Sequence, residues 1–166
     1  MTERLKLDDQ LCFALYAATN AVTGAYRPLL GELGLTYPQY LVLMVLWERG
    51  EMPVTELARH LQMPTHAVSP LVRRLERAGL VDRWRSSSDR RVETVSLTDS
   101  GADLHDSASE AQASVVCRTG LEPDSLDELR DTLHALVRRM SVRPVMVPAD
   151  DAQEAAEHDP AHGETS

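Results

Sequence analysis

Three observations predict a mainly α-helical fold carrying one small β-hairpin. Apolar residues recur at spacings of three and four along most of residues 8–140, the period of a helix with one buried face. The period shortens and β-branched residues gather only over 80–97. Directly before that stretch lie two short helical segments with a brief turn between them.

The first helix starts after Asp8 and Asp9, acids that suit a helix N-terminus. Leu11, Leu15, Ala18, Val22, Tyr26 and Leu29 form its stripe, and Gly31 and Gly34 frame its end near Leu30. Thr36 and Gln39 have capping-box spacing, with Pro38 tolerated in the first turn, so a second helix begins there. Its run from Tyr40 to Trp47 is apolar almost all round, which predicts burial. Gly50 ends it. Thr55 caps a third helix through Leu61, and a fourth runs from about Thr65 to Ala78, closed by Gly79. Strands follow at Leu80–Arg85 and Val92–Leu97. The polar tip between them ends in Arg90 and Arg91. Trp84 is expected to pack beneath this hairpin, and Trp47 in the core. Thr98 caps a fifth helix running to about Cys117, and Ser125 and Glu128 form a capping box for a sixth. From residue 141 the chain is rich in Pro, Ala and acids, and 141–166 is expected to be an acidic disordered tail behind a domain at 1–140.

Apolar residues make up 43% of the chain, enough for a packed interior. No apolar run approaches a membrane span, and Leu41–Trp47 has seven residues. The N-terminus lacks the apolar core of a signal peptide, so a cytoplasmic protein with no membrane partner is expected. A net charge of −9 argues against general coating of nucleic acid. The charge is unevenly spread, however. Residues 141–166 hold one Arg and six acids, whereas 54–98 hold eight Arg and five acids. A local basic segment fits contact with DNA phosphates, and also fits a solvated charged face. The arginine-rich second helix and the hairpin after it have the outline of a winged helix-turn-helix. The terminal helices carry more apolar surface than so small a lobe needs, which predicts a dimer and two half-sites in a pseudo-palindromic duplex.

The residues themselves carry a likeness. Ser69-Pro70-Leu71-Val72-Arg73-Arg74-Leu75-Glu76-Arg77-Ala78-Gly79-Leu80-Val81, then Asp89-Arg90-Arg91, then Ser96-Leu97-Thr98-Asp99-Ser100-Gly101 resemble the MarR family of bacterial regulators over about residues 5–140. Leu7–Tyr16, Tyr26–Leu30 and Leu35–Leu41 resemble one group within it, the organic hydroperoxide resistance regulators (OhrR). That resemblance implies a dimeric repressor rather than an enzyme. It implies a peroxide-reactive cysteine at Cys12, hydrogen-bonded by Tyr26 and Tyr37 of the other subunit. In the two-cysteine branch Cys117 falls where the resolving cysteine of the other subunit stands. Thr65, His66, Ser69, Arg73, Arg74 and Arg77 on the fourth helix, with Arg90 and Arg91 on the wing, are the residues expected to meet DNA. Some of these arginines have Glu76 and other acids as alternative partners.

Physical chemistry agrees in part. A thiol in the first turn of a helix gains from free N–H groups and the dipole, and phenolic donors add to this. Asp8 and Asp9 oppose it. Two distant cysteines also fit inert thiols, and they lack the spacing of a zinc site. His158 and His162 have helical ligand spacing but fall in the tail, so neither metal nor cofactor is expected. Pro64-Thr65-His66-Ala67-Val68-Ser69 departs from the group's pattern before Pro70, and the wing is one residue shorter. Both departures bear on the operator read. Two other classes share these features: a MarR repressor released by a small phenolic or anionic ligand, and a thiol peroxidase. The second would ordinarily show a βαβ pattern, which is missing.

Overall fold

The computed structural model of the chain describes residues 6–85 and 92–142. Residues up to Gly120 pack as one unit, and a second unit from Leu121 on contains the last helix. The stretch read as one domain therefore spans both units. The wing tip with Arg90 and Arg91, and the tail from 143, lie outside the described residues. Ser141 and Val142 continue the last helix.

Helix α1 (Leu11–Glu32) follows a 3₁₀ turn at Leu7–Asp9, so Asp8 and Asp9 sit in that turn and Gln10 occupies the cap position. Gly34, at φ +70°, makes the break before α2 (Tyr37–Arg49). The Gln39 carboxamide oxygen accepts from both the Thr36 N–H and the Thr36 hydroxyl, each at 2.9 Å, which fixes the entry to α2. Helices α3 (Val54–His60) and α4 (Thr65–Arg77) follow. Helix α3 starts one residue before the expected Thr55 cap, because Pro53 occupies the cap position.

Two strands match the expected hairpin: β2 (Val81–Arg85) and β3 (Glu93–Leu97), antiparallel, with Arg83 opposite Val95 and Arg85 opposite Glu93. A third strand was not legible in the sequence. Strand β1 (Met52–Pro53) pairs with β3, Met52 opposite Val95, and the sheet order is β1-β3-β2. Two residues are too few to show a period, and Pro53 suits an edge strand.

The expected fifth helix is two. Helix α5 (Asp99–Asp103) and helix α6 (His105–Arg118) are separated by Leu104, whose ψ is −11°. The expected cap is present, since the Gly101 N–H donates to the Thr98 hydroxyl at 3.1 Å. That hydroxyl donates to the Gly79 carbonyl at 2.7 Å, which ties α5 to the end of α4. The last helix, α7 (Pro123–Val142), starts two residues before Ser125, so Ser125 and Glu128 lie within it rather than capping it.

The core forms where the short elements meet. Val68, Val72 and Leu75 of α4 recur at i, i+4 and i+7 and are fully buried. They meet Leu43 and Leu46 of α2, Leu57 of α3, and Val81 and Val95 of the sheet. The buried residues of α1 are Tyr26 and Leu30, with Ala25 and Leu29 packed against the same core. Of its expected stripe, Leu11, Ala18 and Val22 are exposed in the single chain.

Candidate functional site

Burying one face of α4 turns the other outward. Thr65, His66, Arg73, Arg74 and Arg77 are exposed, and Ser69 is half-buried with its hydroxyl donating to the Thr65 carbonyl at 3.1 Å. Glu76 does not pair with the α4 arginines. It takes Arg83 instead, at 2.7 Å, and the same guanidinium reaches Glu93 at 2.7 Å. The bond to Glu76, set partly against the cost of burial, raises the Arg83 pKa above its ordinary value. One side chain on β2 thus bridges α4 and β3. Among the described residues, Arg73, Arg74 and Arg77 have no carboxylate partner. A cleft of about 370 Å³ opens between α4 and the strands, with Thr65, Ser69 and Arg73 on one wall and Arg85 and Glu93 on the other. Trp84, expected beneath the hairpin, is 41% exposed.

The thiols occupy a different region. Cys12 is the second residue of α1 and Cys117 the penultimate residue of α6; both are exposed and unbonded. Helices α1 and α6 pack together, and Ala21, Val22 and Ala25 share a groove with Val115, Arg118 and Thr119. Cys117 is therefore level with the middle of α1. Cys12 lies about 15 Å further along that helix, ten residues before Val22 at the usual rise.

Tyr26 and Tyr37 are brought together, their ring centroids 5.1 Å apart. Tyr40 completes the cluster at 5.6 Å from Tyr26 and 6.1 Å from Tyr37. Burial raises the pKa of all three phenols. Tyr26 is shifted most, chiefly by its burial, with the neighbouring Tyr40 and Tyr37 adding to the effect. All three are therefore donors near neutral pH. Tyr37 also lines a cleft of about 450 Å³ with Thr23, Arg27 and Pro38, which opens its side chain to the outside of the chain. Sequence reasoning missed Tyr40, although its i, i+3 spacing from Tyr37 places both on one helix face.

A further pocket of about 320 Å³ lies between α2 and α6, lined by Tyr40, Met44, Trp47, His105, Ser109 and Gln112. Trp47 is half-buried, its Nε1–H donates to the Gly101 carbonyl at 3.0 Å, and the His105 ring meets it edge-on at 5.5 Å. Among the described residues no three His, Cys, Asp or Glu side chains could hold a metal ion, and no single helix is long and apolar enough to cross a membrane. His158 and His162 lie outside the described residues.

The MarR family model matches residues 35–92. The organic hydroperoxide resistance transcriptional regulator of Bacillus subtilis (strain 168) is 35% identical over 138 residues, which cover 83% of this chain and 94% of that protein. Crystals of AbfR, a protein of Staphylococcus epidermidis, include an overoxidised form bound to DNA. That form has a TM-score of 0.69 and 33% identity, covering 81% of this chain and 94% of its own. A disulfide-formed AbfR has a TM-score of 0.60 and 35% identity, covering 79% and 92%. CouR from Rhodococcus jostii RHA1, bound to p-coumaroyl-CoA, has a TM-score of 0.69 and 29% identity, covering 79% and 94%.

Proposed function

The chain belongs to the MarR family, and from that premise we propose that it is a dimeric repressor of duplex DNA, released when an organic hydroperoxide oxidises Cys12. The α4 face carries the DNA-binding part of this reading. His66, Arg73, Arg74 and Arg77 project from a helix whose other side is locked into the core, and the wing strands stand beside them. Such a rigid, cationic helix suits a major groove. Arg90 and Arg91 on the wing then reach the adjacent backbone or minor groove.

The redox part rests on two exposed thiols and a cluster of phenolic donors. A peroxide oxygen transfers to the Cys12 thiolate, giving sulfenic acid and an alcohol. The Cys117 thiol of the partner subunit then attacks that sulfur, forming the disulfide and releasing water. An intersubunit bond is favoured because the two thiols of one chain are about 15 Å apart along α1, whereas disulfides need Cα atoms within about 7 Å. The exposed apolar residues Leu11, Tyr16 and Val22 on α1, and Leu129, Leu133 and Val137 on α7, suit a subunit interface. In a dimer, the cleft beside Tyr37 lets the phenols of one subunit donate to Cys12 of the other. The regulator of B. subtilis and the disulfide form of AbfR lend this reading support. Its site of action is the cytoplasm.

The test is Cys12→Ser. The variant should bind DNA like wild type and stay bound when organic hydroperoxide is added. Release of the variant by peroxide alone would remove Cys12 from the sensor role. A second reading is favoured by the pocket between Trp47 and Gln112 and by the CouR complex: release by a small phenolic or anionic ligand. Under that reading peroxide alone leaves wild type on DNA.

A further inference from the structure

Arg85 was not singled out by the sequence, yet its surroundings are unusual. It ends β2 directly opposite Glu93 of β3, the position from which an arginine and a glutamate ordinarily pair across strands. They do not pair here. Arg83 lies two residues back on the same face, and its Nη1 takes the Glu93 carboxylate at 2.7 Å while the rest of its fork holds Glu76. Arg85 is left exposed and without a carboxylate among the described residues.

Arg85 lines the cleft whose far wall carries Arg73, which also has no acidic partner among the described residues. Thr65 lines the same cleft, at the start of a helix that Pro64 provides with no side-chain cap. The Pro64 carbonyl accepts from Ala67 and Val68, which leaves the first N–H groups of α4 without an internal acceptor. Two cations and an uncapped helix start converge on one space. Among the described residues the one carboxylate lining it, Glu93, is already bound.

We propose that this cleft seats one backbone phosphate of duplex DNA between Arg73 and Arg85, and that Arg83 keeps the seat cationic by holding Glu93 and Glu76 away from them. The inference rests on the DNA-binding reading above and adds Arg85 as a contact and Arg83 as a positioning residue. Arg73 and Arg85 would fix the register of α4 against the wing on the duplex without reading bases.

The test uses full-length protein and duplexes selected by wild type from a random-sequence pool, titrated by fluorescence anisotropy over a series of KCl concentrations. Arg85→Gln should weaken binding about tenfold on every duplex. It should also flatten the slope of log affinity against log salt by about one unit. Arg85→Lys should keep the wild-type slope, because slope follows charge. Arg83→Gln should weaken binding, and adding Glu93→Gln should recover most of the loss. Unchanged affinity and slope in Arg85→Gln would overturn the proposal, as would a loss confined to particular sequences. Wild type that binds no duplex at all would instead overturn the DNA-binding reading on which it stands.

Discussion

Replacing Gly101 with alanine should destabilise the protein by about 3–5 kcal/mol, although the position lies in a helix where alanine is ordinarily the better residue. Gly101 is buried in α5. A β-carbon there falls on the Leu80 carbonyl oxygen, with the Leu80 carbonyl carbon 3.0 Å away and a Leu97 methyl at 3.3 Å. The methyl could rotate aside, but the carbonyl is backbone. It is also held, since it accepts from the Thr98 N–H at 3.1 Å. The helix must therefore move away from β2. Overpacking of this kind costs about 1–3 kcal/mol. Moving α5 also strains the Thr98 bond to Leu80 and the Trp47 bond to the Gly101 carbonyl, each worth about 1 kcal/mol net. Urea unfolding followed by circular dichroism reads the sum. At a slope of about 2 kcal/mol/M the midpoint should fall by about 1.5–2.5 M. A midpoint that stays put, or rises as an open helix glycine would make it rise, refutes the reasoning.

Thr98→Ala removes the acceptor for the Gly101 N–H and the donor to the Gly79 carbonyl; the same urea titration should show a loss of about 1–2 kcal/mol. Burial raises the pKa of Tyr26, Tyr37 and Tyr40 in the folded chain. Their contribution to stability is thus fully present below the unfolded phenol value of about 10 and lost as pH rises through the folded values. Urea midpoints between pH 8 and 11 should fall with pH, and less steeply in Tyr26→Phe. After mild peroxide treatment, wild type should run as a covalent dimer in non-reducing denaturing electrophoresis, and Cys12→Ser or Cys117→Ser as monomer. A band at monomer mass with both thiols consumed would show an intrachain bond instead.

The periodic elements were readable from the residues because each buries one face. Helix α4 was bounded almost to the residue, since Val68, Val72 and Leu75 alternate with His66, Arg73 and Arg77 at helical spacing. Strands β2 and β3 showed in their β-branched residues, and the Thr98 cap in its place before the helix. The family and the mainly helical fold with a hairpin wing followed from the same residues. Features made by partners distant in sequence were not readable. Strand β1 exists only because β3 lies beside Met52. Helix α5 separates from α6 while bonds from Trp47 and to Gly79 hold it to the winged unit. Tyr40 joins Tyr26 only when α1 and α2 meet. Among the five acids of the basic segment, no local rule says which arginine each will hold. Packing chose Arg83 for both Glu76 and Glu93, because a side chain between α4 and β3 can reach the two carboxylates together, and that choice left Arg73 and Arg85 without an acidic partner among the described residues.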